Sequence, residues 1–237
     1  MTKTTLLITL LAFSLTYCRS QPTMEAARDI STTSGKQDAI NKFWKWFQTN
    51  EKKLRGFERN PDKILGEVLD NAKQIENGLA IEFEPPNNNI VNVTISADGD
   101  RNLFPIVKQI VEKAPKIQGW NFIAFRQRMP ADKLKTMVLK VQDHELSPAK
   151  MKFFPIVSGD SLDIIVYINQ VTEKNFNQMA YAMLTLMDNI LGEYDCVTKV
   201  RSYDLQKMPT KKEELDGLQP LLDLTAYVDR FHQSKHH

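Results

Sequence analysis

The chain has 237 residues, of which 42% are apolar and 25% are charged, and this composition is ordinary for a folded globular protein. The 31 lysines and arginines nearly balance the 29 acidic residues, and the basic residues are spread along the chain rather than gathered in blocks. Nucleic-acid binding needs a concentrated basic surface. The sequence therefore indicates no nucleic-acid partner and gives no reason to expect binding to an anionic membrane surface.

The N-terminal segment carries information about location. The apolar run "LLITLLAFSLTY" at 6–17 is too short to span a bilayer comfortably and has the length of a signal-peptide core. We predict that 1–20 is a signal peptide and that the protein is exported, either periplasmic or held at the membrane by a lipid anchor. Two processing routes are open: Cys18 is the lipidated first residue of a lipoprotein, or a peptidase cuts after Ser20. The stretch "LTYC" resembles the bacterial lipobox but has Tyr17 where that motif has a small residue.

The next segment, 21–35, is polar and rich in small side chains, which is typical of a flexible tether. A single α+β domain is predicted from 36 to 233. It opens with a helix, and the Asn60-Pro61 pair begins a second helix, so that the two form a helical hairpin. The first helix is indicated by apolar residues that recur at three- and four-residue steps, namely Ile40, Phe43, Trp44, Phe47 and Leu54.

After the hairpin, the pattern strand–strand–helix–strand occurs twice. The first copy consists of 79–84, 90–96, 103–114 and 120–127. The second copy consists of 151–157, 162–168, 173–191 and 195–203. A linking strand at 136–142 and a closing helix at 218–231 complete the predicted elements. The predicted fold is therefore α+β, with an N-terminal helical hairpin, two ββαβ-like units that form one or two mixed sheets, and a C-terminal helix.

Motifs for the commonest enzyme chemistries are missing from the sequence. It contains no G-x-S-x-G, Walker loop, H-E-x-x-H, paired C-x-x-C or Rossmann glycine pattern. We therefore expect no cofactor and no metal. The "DHE" stretch at 143–145 could form a metal or acid–base cluster, but a solvated loop is the simpler interpretation. With Cys18 lipidated or removed, Cys196 has no disulfide partner, and we interpret it as a small buried residue on a strand.

Glu51 is a carboxylate in the apolar phase of the first helix. At about 100° per residue it lies within about 40° of Phe47, on the side that faces the core. A buried carboxylate needs a cation or several hydrogen-bond donors. In the predicted strand 120–127, Arg126 ends the apolar stripe that Trp120 begins. We predict a Glu51–Arg126 ion pair at the edge of the core; a helix end that projects beyond the sheet and leaves Glu51 in water is the alternative.

Two other groups of acidic residues lie next to predicted helix ends. Asp98 and Asp100, in "SADGDRN", either cap the helix that follows or belong to a turn whose amide groups hold an anion. Glu193 and Asp195 follow a helix end, and with Asp188 they form either an acidic site or an ordinary turn.

The aromatic helix and the methionine-rich helix each leave a binding or structural alternative open. Trp46 lies about 100° from Phe47, so we expect it at an edge of the aromatic face. Trp46 and Asn50 are both candidates for a binding or structural role. Met179, Met183 and Met187 share one helical face, which can form a binding groove but more often fills a core.

Three stretches, at 43–54, 95–128 and 186–195, carry a family resemblance: "FWKWFQTNEKKL", "ISADGDRNLFPIVKQIVEKAPKIQGWNFIAFRQR" and "LMDNILGEYD". They resemble a widespread bacterial domain of unknown function that has an aromatic helix, an ISADG turn, an AP-W-AF strand and an LGE-containing helix stop. The resemblance spans roughly 36–203. It implies an α+β fold and no established activity.

Two classes of function follow from these observations. The first is a noncatalytic, exported or lipid-anchored binding module that engages a protein or another envelope component. The second is an enzyme of the hydrolase type, with a carboxylate and arginine site built around Glu51, Asp98 and Arg126. An enzyme of this kind should have a concave pocket in which these residues converge with shifted pKa values.

Overall fold

The structure is a computed structural model that describes residues 26–141 and 144–234, with only the backbone described for 26–34, 141 and 144. The predicted signal peptide with Cys18, and the first part of the predicted tether, lie outside the described residues. The chain divides into two compact units, which we call unit 1, ending at Ala124, and unit 2, beginning at Phe125. None of the helices in the described part of the chain has the length and hydropathy that crossing a bilayer requires.

Unit 1 contains the helical hairpin and the first ββαβ pattern. Its elements are α1 (Ala26–Leu54), α2 (Pro61–Ala72), β1 (Ala80–Phe83), β2 (Val91–Ser96), α3 (Phe104–Glu112) and β3 (Trp120–Ala124). The sheet order is β1-β2-β3, with β1 antiparallel to β2 and β3 parallel to β2. Both the hairpin and the first ββαβ pattern are as predicted.

Helix α1 is longer than the sequence pattern indicated. It begins at Ala26, so residues 26–35, which we assigned to the tether, have a helical backbone. Once the amphipathic stretch that follows has formed a helix, each added residue gains a hydrogen bond without a new nucleation step. The helix can therefore continue through Gly35, although glycine costs about 1 kcal/mol relative to alanine at such a position.

The aromatic face of α1 forms the core of unit 1. The Phe47 ring packs edge-to-face on Trp120 and Phe122, with ring centres 5.0 and 5.2 Å apart. The Trp44 indole N–H donates to the carbonyl of Ile110 at 2.9 Å, which ties α1 to α3. Edge-to-face pairs add about 0.5–1.5 kcal/mol beyond the burial of their area. The predicted apolar stripe is at most 4% exposed at every position: Ile40, Phe43, Trp44, Phe47 and Leu54.

Unit 2 repeats the strand pairing of unit 1. Its elements are α4 (Ala131–Thr136), β4 (Leu139–Val141), β5 (His144–Leu146), β6 (Lys152–Ser158), β7 (Ser161–Ile168), α5 (Phe176–Leu191), α6 (Glu193–Lys199), β8 (Ser202–Lys207), α7 (Lys212–Asp216), β9 (Gln219–Pro220) and α8 (Leu224–Gln233). The sheet order is β8-β7-β6-β9, with β6 antiparallel and β8 parallel to β7. The order and directions of β6, β7 and β8 match those of β1, β2 and β3, as the predicted repeat requires. The predicted linking strand is half of a separate hairpin, β4-β5.

The methionine face of α5 belongs to the core of unit 2. Met179, Met183 and Met187 are at most 2% exposed and belong to the same buried cluster as alternate residues of β7. The core interpretation of the methionine stripe is therefore confirmed. The residues of β7 that face this core are Leu162, Ile164, Val166 and Ile168.

The predicted strand at 195–203 is wrong. Residues 193–199 form α6, and β8 starts only at Ser202. Gly192, with φ of 76°, ends α5, and the carboxylates of Glu193 and Asp195 then lie in the first turn of α6, where the helix dipole favours negative charge. These end signals outweigh the strand preference of the β-branched residues that follow. Cys196 is buried as expected, but it lies on a helix.

The predicted strand 120–127 is also too long. β3 ends at Ala124, and Phe125 has a left-handed φ of 66°, a strained conformation for a bulky residue that costs about 1–2 kcal/mol. This conformation breaks the alternation of strand faces. Arg126 is therefore not on the stripe that Trp120 begins.

Candidate functional site

Glu51 is the centre of a small polar cluster in unit 1. Its Oε1 atom accepts hydrogen bonds from Arg55 Nε and from the Trp120 indole N–H, both at 2.8 Å. The Arg55 guanidinium lies 5.1 Å from the centre of a Trp120 ring and donates to the carbonyl of Gln118 at 2.8 Å. We call Glu51, Arg55 and Trp120 the Glu51 cluster. It joins the end of α1 to the start of β3.

The surroundings of Glu51 favour its ionised form. The Trp120 indole N–H lowers the pKa of Glu51 below its usual range; partial burial opposes this shift, and the Arg55 guanidinium adds to it. The Glu51 carboxylate is therefore a fixed negative charge at neutral pH rather than an acid that donates a proton.

The lack of a side chain at Gly119 leaves room for Arg55 in the Glu51 cluster. Its φ of 77° is one that side chains rarely adopt, and a Cβ atom there would lie 2.9 Å from both terminal nitrogens of Arg55 and from the Asn89 carbonyl oxygen. A glycine is therefore needed for both its backbone angle and its lack of a side chain.

The partners of Glu51 differ from the one that the sequence suggested. Glu51 lies on the core side of α1, but Arg55 supplies its cation and Trp120 its second donor, both within unit 1. The Glu51 carboxylate thus does not need Arg126, which belongs to unit 2, and that ion pair stays a prediction. The four-residue spacing of Glu51 and Arg55 was the signal that could have identified the pair.

Arg126 belongs to a more deeply buried cluster in unit 2. Its Nη1 atom donates to Asp188 Oδ2 at 3.1 Å. Its backbone N–H donates to Glu193 Oε2 at 3.1 Å, and the Glu193 backbone N–H donates to the Arg126 carbonyl at 2.9 Å. Asp188 is 8% exposed and Glu193 is fully buried. We call Arg126, Asp188 and Glu193 the Asp188 cluster. It ties the segment after β3 to the α5–α6 junction.

Burial controls the electrostatics of the Asp188 cluster. It raises the pKa of Asp188 to about 6; the charge of Arg126 opposes this shift, and the nearby Glu193 increases it. Burial also raises the pKa values of Cys196 and Tyr203. These two groups are hydrogen-bonded to each other, with 3.2 Å between the sulfur and the phenol oxygen. They remain neutral near pH 7, so Cys196 is not a reactive thiolate.

A second ionic network holds the same segment of unit 2. Arg128 donates to Asp229 of α8, to Asp195 of α6 and to the carbonyl of Leu191. The hydrogen bond to Asp229 raises the pKa of Arg128, burial opposes this, and Asp195 adds to the rise. Lys199 is a second cation for both carboxylates. The sequence analysis did not identify Arg128 or Asp229, because they are far apart in the chain and follow no recognisable spacing.

The turn that contains Asp98 has hydrogen bonds between its own residues. Asp100 accepts the backbone N–H of Asn102 at 2.9 Å and so caps the short 3₁₀ helix before α3. Asp98 has a left-handed φ of 49°, and its backbone N–H donates to Ser96 Oγ at 2.9 Å. Capping, the simpler of the two interpretations, thus describes Asp100.

The remaining candidate residues are Trp46, Asn50 and His144. Trp46 is half-buried, and its backbone carbonyl accepts the side-chain amide of Asn50 at 2.9 Å. His144 lies in β5 rather than in a loop, while Asp143 and the His144 side chain lie outside what the structure describes. Among the side chains that are described, no group of three or more His, Cys, Asp or Glu residues could hold a metal ion.

A surface depression of about 140 Å³ lies in unit 1, between Lys36 of α1, Glu76 and Pro105 of α3. Pockets for small organic ligands usually measure about 300–1,000 Å³. The predicted site residues do not line this depression. It is therefore small for a substrate site and does not bring the candidate catalytic residues together.

Comparison with known proteins adds no relative: no protein-family model, no curated protein and no solved structure matches the chain. No family is therefore shown for this chain, and the resemblance to a bacterial domain finds no support in these comparisons.

Proposed function

We propose that this protein is an exported, noncatalytic binding module, with a lipid anchor at Cys18 as one of two processing routes. The noncatalytic part of this proposal rests on the contacts that the acidic side chains make. The Glu51 carboxylate holds Arg55 and Trp120, and the Asp188 and Glu193 carboxylates hold Arg126. These contacts link secondary-structure elements and so give the carboxylates a role in the fold.

A protein partner is supported by exposed apolar residues on β6. Phe154 and Ile156, alternate residues on one face of β6, are 41% and 42% exposed, and 153–158 contains no charged residue. Exposed apolar side chains that are contiguous, rather than scattered singly, often mark a contact with another protein. We propose that this strand contributes to the surface that binds an envelope protein.

The export proposal is tested on the mature protein. Mass spectrometry of the N-terminus from membrane and soluble fractions should give either a diacylated Cys18 or a chain that starts at Gln21. Recovery of an intact Met1 or Thr2 N-terminus from all fractions would contradict export through the proposed signal peptide.

The binding proposal is tested by affinity capture from envelope extracts. The wild-type protein should retain one partner in stoichiometric amount, and Ile156→Lys should lose it. Ile90→Lys is the matched control, because Ile90 is a similarly exposed apolar residue, 46% exposed, in unit 1. Equal capture by the two variants would exclude β6 as the binding surface.

A second candidate, an enzyme with a carboxylate and arginine site, is supported by Asp188. Its pKa, raised by burial to about 6 although the charge of Arg126 opposes the rise, lies in the range that suits a general acid near neutral pH. If this candidate is correct, a panel of ester, phosphate and glycoside substrates should yield turnover that Asp188→Asn abolishes and Glu51→Gln retains. Turnover that is equal in both variants would exclude Asp188 as the catalytic acid.

A further inference from the structure

The sheet of unit 2 has an open edge along β6. β9 pairs with Lys152 and Phe153, whereas β6 continues to Ser158. On its other side β6 pairs with β7 along its whole length. Among the strands that the structure describes, none pairs with 154–158 on the β9 side. These five residues therefore have one neighbouring strand instead of two.

The hydrogen-bonding direction of β6 determines which backbone groups lie on this edge. The Met151 carbonyl accepts the backbone N–H of Leu221, the residue after β9, at 3.0 Å. The backbone groups of Met151 thus lie on the β9 side, and every second residue along a strand repeats this direction. Phe153, Pro155 and Val157 therefore direct their backbone polar groups to the β9 side.

Strand β7 gives the same assignment. The Leu162 carbonyl accepts the backbone N–H of Arg201 at 2.8 Å, so the backbone groups of Leu162 lie on the β8 side of β7. Leu162 is the residue of β7 opposite Val157, and this pair is consequently one without ladder bonds. Pro155 fits the assignment, because proline is tolerated in a strand where its missing N–H faces away from the ladder.

The side chains beside the open edge are apolar. Phe154 and Ile156 lie on one exposed face, and 153–158 has no charged residue. Edge strands that avoid pairing often carry charged residues, especially lysine. Backbone donors and acceptors beside apolar side chains are instead the surface on which an extended peptide adds as a strand.

We propose that β6 binds an extended segment of its partner protein, which joins the sheet antiparallel to β6 and in line with β9. The inference rests on the proposed binding function and specifies the conformation of the partner. The Pro155 carbonyl accepts one hydrogen bond from the segment, and the Val157 N–H and C=O form two more. Apolar side chains at every second position of the segment contact Phe154 and Ile156.

A partner segment fits this edge better than a second copy of β6 does. Two copies paired about a two-fold axis would each present Pro155 to the other. A pairing centred on Ile156 would thus lose one ladder bond at each proline, whereas a partner segment meets a single proline.

The first test is amide hydrogen exchange of the mature protein, resolved by residue with NMR. In the free protein the protection factor of the Val157 amide should be at least about tenfold lower than that of the Ile156 amide, which points to β7. Strong protection of Val157 in the dilute free protein would overturn the proposal, because the edge would already be covered. Protection that grows with protein concentration would overturn it in favour of a second copy.

The second test selects binders to the mature protein from a library of random seven-residue peptides. Selected peptides should have apolar side chains at alternate positions, and Val157→Pro, which removes the N–H on the open edge, should weaken their binding at least about tenfold. Val157→Thr is the matched control, because it keeps the N–H and the β-branched shape, and its binding should stay within about threefold of wild type. Equal binding by wild type and Val157→Pro, or a selection without the alternating pattern, would exclude strand addition.

Methylation of the peptide nitrogens tests the same contact if Val157→Pro does not fold. Alternate N–H groups of a strand point to opposite sides. Methylation of one alternate set should therefore abolish binding and methylation of the other set should preserve it, whereas equal effects of the two sets would contradict strand addition.

Capture from envelope extracts separates failure of this inference from failure of the proposed function. Wild-type protein that retains no partner contradicts the binding function itself. A partner that Ile156→Lys loses but Val157→Pro retains supports β6 as the binding surface and excludes strand addition. The expected result is loss of the partner in both variants and retention by Val157→Thr.

Discussion

The two polar clusters use the same kinds of residue but hold protons with opposite tendencies. In the Glu51 cluster one carboxylate meets one guanidinium and an indole N–H, and the side chains are 22% and 35% exposed at Glu51 and Arg55. In the Asp188 cluster two buried carboxyl groups accompany one guanidinium. The pKa of Glu51 is lowered, whereas that of Asp188 is raised to about 6.

An arginine neighbour therefore does not by itself determine the protonation state of a carboxyl group. Near water, the donors around Glu51 outweigh the cost of partial desolvation. In the interior, the desolvation of Asp188 outweighs the attraction of Arg126. The depth of burial decides which of these effects prevails.

The largest expected effect is the loss of the Glu193 carboxylate. Glu193→Ala removes a fully buried side chain and leaves the backbone N–H of Arg126 without this acceptor, so the free energy of unfolding should fall by about 3–4 kcal/mol. Glu193→Gln keeps an acceptor oxygen and should cost about 1 kcal/mol. Urea unfolding followed by circular dichroism measures both. Equal losses in the two variants would mean that the hydrogen bond to Arg126 contributes nothing.

The next effect concerns the backbone that supports the Glu51 cluster. Gly119→Ala combines a strained φ with contacts of 2.9 Å to Arg55 and Asn89, and should cost about 2–3 kcal/mol. Gly99→Ala is the control, because its φ of 82° is similarly strained while no atom lies within 4 Å of the added Cβ, and it should cost about 1 kcal/mol. Tryptophan fluorescence in urea follows unit 1. A smaller loss for Gly119→Ala than for Gly99→Ala would show that the cluster does not need this close approach.

The overall architecture could be predicted because it depends on local periodicity. The apolar stripe of α1, the Asn60-Pro61 helix start and the alternating strands each give a signal within a few residues. The end of β3 could not be predicted in this way. The left-handed φ of Phe125 has no signal in the sequence, since bulky residues rarely adopt it.

The candidate residues were identified better than their partners. The helical phase of Glu51 correctly indicated a polar group near a core, whereas the acidic residues around Gly192 were assigned to an acidic site or a turn, with no indication that Glu193 is buried. Their partners depend on how distant segments pack, and a single sequence does not contain that information. Trp120, for example, lies 69 residues beyond Glu51 and was interpreted only as part of an apolar stripe.

A smaller effect should follow from removing the Glu51 side chain. Glu51→Ala leaves the indole N–H of the mostly buried Trp120 without its acceptor and should cost about 1–2 kcal/mol. Glu51→Gln keeps an oxygen for the indole but loses the charge that faces Arg55, and should cost less than about 1 kcal/mol. Thermal unfolding of unit 1, followed by tryptophan fluorescence, measures both. Equal losses in the two variants would mean that the charge facing Arg55, rather than the hydrogen bond to Trp120, is the main contribution.

The smallest expected effect is the pH dependence of the Glu51 cluster, and its sign is opposite to that of the Asp188 cluster. Because the folded-state pKa of Glu51 is lowered from 4.5, its ionised form stabilises unit 1 above that value, and this stabilisation is lost as the pH falls through the folded-state pKa. The stability difference between wild type and Glu51→Gln in urea should therefore be constant from about pH 7.5 to pH 5.5 and shrink below about pH 4.5. A difference that instead grew on acidification would mean that Glu51, like Asp188, binds its proton more tightly in the folded chain. The partial exposure of Glu51 would then not explain the opposite pKa shifts of the two clusters.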